Sequence, residues 1–162
     1  MEYDVYQLVR LAAFIGGGVS MGLGAIGAAI GEGYTASEAS IAISRSPKQA
    51  GNIVKTMLVG QAVAESASIF ALVIAILLLF ADISGAGLLR AVCFLSAGIC
   101  MGLGAVGPGI GAGLTAGKAC ASIERQPTIE NLITRTMLVG QAVSQSTAIY
   151  AMVISLILIF VA

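Results

Sequence analysis

The chain has 162 residues, of which 58% are hydrophobic and only 10% are charged, and its mean hydropathy is +1.00. Because about a quarter of the residues of a soluble domain are charged, this composition excludes an ordinary soluble domain and predicts a membrane protein. The formal net charge is zero, so nothing in the charge balance indicates a nucleic-acid partner or an acidic substrate.

Four apolar runs are long enough to cross a bilayer as helices. A bilayer core about 30 Å thick needs roughly 20 residues at about 1.5 Å each. The runs span residues 11–31, 56–81, 91–117 and 136–162, and a single charged residue, Glu65, lies within them. They predict an all-α membrane protein with four transmembrane helices, each longer than its bare apolar run.

Short polar segments separate the runs and predict turns. The first two runs are joined by SRSPKQAGN (44–52) and the last two by ERQPTIEN (124–131), while ADISGAG (81–87) separates the two pairs. We therefore expect two helical hairpins, residues 1–82 and residues 83–162.

The two hairpins are tandem copies with an offset of 80 residues. MGLGAIG (21–27) recurs as MGLGAVG (101–107), and TMLVGQAV (56–63) recurs unchanged at 136–143. Because each copy contains an even number of helices, both copies should cross the membrane in the same orientation and suit assembly into a ring. The many glycines of the first and third helices predict an inner layer with close backbone packing.

Positive charge is concentrated in the hairpin loops, which carry Arg45, Lys48, Lys55, Arg125 and Arg135. The opposite ends of the helices carry acidic residues beside fewer basic ones, namely Glu2, Asp4 and Asp82 against Arg10 and Arg90. The positive-inside rule therefore predicts that the loops are cytoplasmic and that both termini lie outside.

Two carboxylates of the first hairpin, Glu32 and Glu65, are candidate functional groups, because a charge inside the membrane is costly. Glu32 lies 15 residues before Pro47 and Glu65 lies 18 residues after it, so antiparallel helices bring the two to about the same depth. Two adjacent carboxylates in a low dielectric cannot both be ionised. One proton together with one monovalent cation would neutralise the pair.

Structural alternatives to this interpretation remain open. Glu65 would then be a protonated, hydrogen-bonded residue, or Glu32 would lie in the wet interface near Glu38.

The oxygen atoms of Gln61 and Ser66 are hard ligands that suit Na⁺ as well as H⁺. The Ser66 hydroxyl can instead bond to its own helix.

The second hairpin lacks both acids, because Ala112 replaces Glu32 and Gln145 replaces Glu65. Hydroxyl groups are nevertheless kept or added near the missing acid, in the form of Ser146, Thr147 and Tyr150.

These features resemble the c subunit, or proteolipid, of rotary ATP synthases and ATPases, with two hairpins fused into one chain. The resemblance rests on the glycine-rich helices GAIGAAIGEG (24–33) and GAVGPGIGAG (104–113), the loops RSP (45–47) and RQP (125–127), and GQAVAES (60–66). The Na⁺-translocating bacterial F-type is the most similar form. The resemblance implies a non-catalytic rotor-ring subunit of a bacterial plasma membrane, which translocates Na⁺ or H⁺ through Glu65 and is coupled to ATP synthesis or hydrolysis.

The resemblance also implies an ion site between neighbouring hairpins. Na⁺ would be bound by Glu32, Glu65, Val143 and Ser146, with Tyr150 beside them. Na⁺-translocating relatives have a threonine that helps to hold a water, a residue present here as Thr147 but replaced by Ala67 in the first hairpin. The opposite interface would carry no ion, since it pairs Ala112 and Gln145 with Val63, Ser66 and Phe70.

The expected partners follow from the same resemblance. The ring would contain copies of the chain, alone or together with single-hairpin paralogues, and would turn against a stator a subunit without any cofactor. Central-stalk subunits would contact the loops at Arg45, Pro47, Arg125, Gln126 and Pro127. Alternatives are a V/A-type ATPase proteolipid and, more remotely, a small four-helix exporter, whose substrate pocket would need more aromatic residues than the 6% found here.

Overall fold

A computed structural model describes residues 2–83 and 87–161, with side chains described from residue 5 onward. The described chain forms four long helices, α1 Glu2–Arg45, α2 Ala50–Leu79, α3 Leu88–Arg125 and α4 Glu130–Val161. Short 3-10 turns, Pro47–Gln49 and Pro127–Ile129, join the helices of each pair. The predicted pair of helical hairpins is confirmed. The terminal residues 1 and 162 of the predicted hairpins and part of the predicted break at 81–87 (residues 84–86) lie outside the described residues, as do the side chains of Glu2 and Asp4.

All four helices are long and apolar enough to cross a membrane. They contain between 30 and 44 residues, which corresponds to about 45 to 66 Å at about 1.5 Å per residue. Since this exceeds an apolar bilayer core of about 30 Å, the helix ends extend into polar surroundings. The expectation that the helices are longer than the bare apolar runs is therefore confirmed.

A proline fixes the turn of each hairpin. Pro47 and Pro127 each begin a 3-10 turn, a position where the missing proline N–H removes no helical hydrogen bond. The preceding residues, Ser46 and Gln126, leave the helical region with φ near −131° and −137°, as the residue before a proline tends to do. Helices α1 and α3 therefore end at Arg45 and Arg125, just before Ser46 and Gln126.

Each hairpin has a polar contact between its own two helices at the same repeat position. The Ser20 hydroxyl donates to the Ala71 carbonyl oxygen at 2.9 Å, and the Cys100 thiol lies 3.8 Å from the Ala151 carbonyl oxygen. Both pairs are 51 residues apart and differ by the repeat offset. The repeat in the sequence is thus preserved in the packing of the helices.

The glycine-rich helices α1 and α3 pack backbone against backbone. A Cβ atom placed on Gly27 would lie 2.6 Å from Cα of Val106, and one on Gly109 would lie 2.7 Å from the carbonyl carbon of Gly27. Gly31 packs in the same way against Gly109 and Gly113. Helix α3 also packs against α2, so it lies in the groove between the helices of the first hairpin. The predicted close packing of the glycine-rich helices is confirmed.

The substitution Gly31→Val is expected to weaken the packing of the two hairpins. Its Cβ would overlap the Gly109 carbonyl, which is backbone and cannot move aside as a flexible side chain can. Overpacking of this kind typically costs about 1–3 kcal/mol, so thermal unfolding in detergent should begin several degrees lower than in the unmodified protein. Gly51→Ala is the control, because nothing lies within 4 Å of its added Cβ. Equal unfolding temperatures for both variants would contradict the described packing.

Candidate ion-binding site

The structure brings Glu32 and Glu65 together between α1 and α2. The Gln61 amide nitrogen donates to the Glu32 backbone carbonyl at 3.1 Å, so Gln61 and Glu32 lie at the same depth. Helical side chains lean toward the N-terminus of their own helix. Since α1 and α2 are antiparallel, Glu32 leans away from the loop and Glu65, one turn beyond Gln61, leans back toward it. The two side chains therefore lean toward each other.

Glu65 faces away from the packed interior of the chain. Its side chain is exposed and that of Glu32 is half-buried, whereas Ala64 and Ala67 on the same helix are fully buried. A carboxylate on an otherwise apolar face of a membrane helix is costly unless another group covers it. The pair is therefore placed to accept a partner from outside the chain.

The hydroxyls predicted to lie near the site bond to their own helix. Ser66 and Ser146 donate to the carbonyl oxygens of Val63 and Val143, each at 2.7 Å. The Thr147 hydroxyl donates to the Ser144 carbonyl at 3.0 Å. The alternative that Ser66 satisfies its own helix backbone is therefore what the structure shows, and the same geometry in the second hairpin orients the Ser146 hydroxyl beside the Val143 carbonyl.

The remaining predicted ligands, Val143 and Tyr150, are exposed on the second hairpin. Val143 is 69% exposed and Tyr150 is 65% exposed, whereas their repeat equivalents Val63 and Phe70 are half-buried. Among the described residues, no hydrogen bond joins either glutamate to the second hairpin's predicted ligands. One chain thus contains both halves of the predicted site but does not join them.

The interface inside the chain is the one that lacks the acids. The Gln145 amide nitrogen donates to the Val63 carbonyl at 2.8 Å, and Gln145 is only 8% exposed. Gln141, one turn earlier, donates to the Ala112 carbonyl at 2.8 Å and repeats the bond of Gln61 in the first hairpin. Gln145 and Val63, which the resemblance assigned to the ion-free interface, are therefore neighbours within one chain.

Sequence reasoning missed an ion pair between the inner helices. Lys118 lies 3.1 Å from a carboxylate oxygen of Glu38, which also accepts a hydrogen bond of 2.9 Å from the Tyr34 hydroxyl. The Lys118 ammonium group is 5.4 Å from the centre of the Tyr34 ring. Positions 38 and 118 are repeat equivalents with opposite charges, and that comparison was the signal in the sequence that would have found the pair.

The residues predicted to contact the central stalk all lie at the two hairpin turns. Arg45, Pro47, Arg125 and Gln126 are exposed, and Pro127 is half-buried. The Arg45 guanidinium lies 3.8 Å from the Glu124 carboxylate of the other hairpin. The turns are thus held side by side at one end of the helices and present basic side chains there.

A family model for the ATP synthase C subunit matches the chain twice, over residues 15–78 and 95–158. The chain is 47% identical over 78 residues to the ATP synthase c subunit of Alkaliphilus oremlandii, which covers 48% of this chain and 88% of the relative. It is 48% identical over 79 residues to the ATP synthase c subunit of Natranaerobius thermophilus, which covers 49% of this chain and 91% of the relative. It is also similar to an ATP synthase c subunit of Cereibacter sphaeroides, at 42% identity over 76 residues, which cover 47% of this chain and 92% of the relative.

Proposed function

Since the chain belongs to the ATP synthase C subunit family and contains the family's unit twice, we propose that it translocates Na⁺ or H⁺ on Glu65 at sites formed between two copies of the chain. Members of this family are non-catalytic rotor subunits that carry ions. The observation that carries the proposal is that the two halves of the site are both open within one chain, with Glu65 exposed on the first hairpin and Val143 and Tyr150 exposed on the second. A second copy is required to join them.

The packing inside the chain supplies a template for the contact between copies. Helix α3 occupies the groove between α1 and α2. The equivalent groove between α3 and α4 has a volume of about 710 Å³ and is lined by both helices and the second turn, from Leu114 to Ser122 and from Ile129 to Gly140. By the repeat, this groove fits α1 of the next copy, so that each chain continues the same packing around a ring.

The open glycines support this register. Gly18, Gly22 and Gly33 of α1 have nothing within 4 Å of an added Cβ. Their equivalents one repeat later, Gly98, Gly102 and Gly113, all pack closely against α1 inside the chain. Positions that are open in one chain are therefore the ones that the repeat would bury against the neighbouring copy.

Charge complementarity supports the same arrangement. In the next interface Lys118 occupies the place of Glu38, and Glu38 of the neighbouring copy occupies the place of Lys118. Glu38 and Lys118 would then alternate around the ring, and each would lie between two opposite charges. A like-charged pair at this repeat position would have been unfavourable in every interface.

In this arrangement Glu32 and Glu65 of one copy face Val143, Ser146 and Tyr150 of the next. Carboxylate, carbonyl and hydroxyl oxygens are hard ligands that suit Na⁺. One ionised and one protonated carboxyl with one Na⁺ make the site neutral, which permits its passage through the lipid-facing part of a rotation. Ala67 provides no hydroxyl in the first hairpin, and Thr147 of the neighbouring copy is the hydroxyl available to hold a water.

The four helices make this an integral membrane protein, and we propose that its hairpin turns are cytoplasmic, as their excess of basic residues favours. The exposed turns around Arg45 and Arg125 would contact the central stalk. A stator subunit would face Glu65 during ion exchange. Since the family is established for both halves of the chain, the exporter alternative is not supported.

Carbodiimide labelling of the purified ring tests the proposed ion site. A hydrophobic carbodiimide modifies protonated carboxyls, so we expect it to label Glu65 and expect Na⁺, but not the same concentration of K⁺, to slow the labelling by displacing the proton. Glu130, in the first turn of α4 at the polar end of the helix, is the internal control and should stay unlabelled. Labelling that depends on pH but not on Na⁺ would identify H⁺ as the ion. An unreactive Glu65 would contradict the proposed site.

A further inference from the structure

Gln145 makes a directed contact across the interface inside the chain. Its amide nitrogen donates to the Val63 carbonyl at 2.8 Å, although the side chain is almost entirely buried. Its amide oxygen is buried with no hydrogen-bond partner among the described residues. A buried oxygen without a partner is unfavourable, and an apolar side chain would avoid it. The amide is therefore best explained by the bond that its nitrogen makes.

The equivalent contact at the other interface has a different chemistry. There Glu65 of one copy would meet the Val143 carbonyl of the next, and an ionised carboxylate has only acceptor oxygens. Two acceptors repel each other unless a proton or a cation lies between them. The Gln145 amide hydrogen supplies this positive group permanently, because it belongs to the side chain itself.

We propose that Gln145 is a built-in substitute for the transported ion, an inference that rests on the proposed function. Its N–H group holds the interface inside the chain in the arrangement that the other interface adopts only when an ion is bound. This interface therefore passes the stator closed and uncharged, and neither releases nor takes up an ion. The rotor then carries one ion for every two hairpins.

The proposal distinguishes Gln145 from a residue that merely fills space. If only packing mattered, Gln145→Leu would assemble into rings as stable as the unmodified ones. If the donor matters, Gln145→Leu lowers the temperature at which the ring dissociates in detergent, equally with and without Na⁺. Gln145→Glu should instead form a ring whose stability depends on the ion, since the introduced carboxyl needs a proton or Na⁺ to reach the Val63 carbonyl.

The experiment compares ring dissociation temperature and carbodiimide labelling for these variants over a series of Na⁺ concentrations and pH values. For Gln145→Glu we expect labelling per chain to double, and we expect acid or Na⁺ to restore the dissociation temperature. The double variant Gln145→Glu with Phe70→Tyr supplies the hydroxyl that Tyr150 provides at the other interface, and it serves if the single variant assembles poorly.

Two results would overturn the inference. The first is a Gln145→Leu ring as stable as the unmodified ring. The second is a Gln145→Glu ring, alone or with Phe70→Tyr, that neither acid nor Na⁺ stabilises. Labelling of Glu65 in the same samples separates this failure from a failure of the proposed function, because only the latter leaves Glu65 unreactive.

Discussion

Replacing Glu65 with glutamine is expected to abolish ion translocation while leaving the ring assembled. The amide has the shape of the carboxyl but cannot ionise, so it can neither exchange a proton nor bind Na⁺ as a counter-charge. Its N–H group would bond the Val143 carbonyl of the next copy, as Gln145 does with Val63 inside the chain. Every interface would then be closed permanently, and no ion could be released toward the stator.

The measurement is ATP-driven ion uptake into vesicles that contain the reconstituted complex, with ring assembly checked separately on a gel. Glu130→Gln is the matched control, since it removes a carboxylate from the polar beginning of α4 rather than from the apolar part of α2. We expect uptake to fall to background for Glu65→Gln and to persist for Glu130→Gln. Substantial uptake by a Glu65→Gln ring would show that another group carries the ion.

The helical hairpins were predictable because local physics determines them. Each apolar run exceeds the thickness of a bilayer core, and a proline ends each inner helix close to where the sequence places the turn. The depth of Glu32 and Glu65 followed from counting residues outward from Pro47, because both helices rise by about the same 1.5 Å per residue. The bond from Gln61 to the Glu32 carbonyl places Gln61 at the depth of Glu32, and Glu65 lies one turn farther from the loop.

The side on which the second hairpin packs was not predictable from the sequence. Both faces of each inner helix carry glycines, and the sequence does not distinguish the face of Gly31 from that of Gly33, or the face of Gly113 from that of Gly111. In the structure Gly31 packs against Gly113, whereas nothing lies within 4 Å of a Cβ added to Gly33. This choice decides that the interface with Gln145 lies inside the chain and that the glutamates face outward.

The roles of the polar side chains were only partly predictable, because equal local sequences lie in unequal surroundings. Ser66 and Ser146 make the same 2.7 Å bond to their own helix, yet the carbonyl beside Ser66 also accepts the Gln145 amide. The surroundings of the two positions differ only because of the way in which the hairpins pack. The same is true of Glu38 and Lys118, whose opposite charges at one repeat position acquire a meaning only when α1 and α3 are known to be neighbours.

The substitutions Gly22→Cys and Leu103→Cys are expected to join neighbouring copies by disulfide bonds. The product should be a series of covalent multimers. Inside the chain, a Cβ on Gly102 lies 3.1 Å from Cβ of Leu23, close to the separation found in disulfides after a small adjustment. The repeat transfers this contact to Leu103 of one copy and Gly22 of the next. In one chain Leu103 is 61% exposed and nothing lies within 4 Å of a Cβ on Gly22, so a bond between them must join two copies.

The matched control is the pair Leu23→Cys and Gly102→Cys, which the same geometry should close within one chain and which should therefore migrate as a monomer. Both pairs are placed in a background with Cys93→Ala, Cys100→Ser and Cys120→Ala, in which serine at position 100 can keep the bond that Ser20 makes in the first hairpin. Oxidised membranes are analysed on a non-reducing gel. Monomers from both pairs would refute the register between copies, and with it the joining of Glu65 to Val143, since the two contacts follow from one rotation of the repeat.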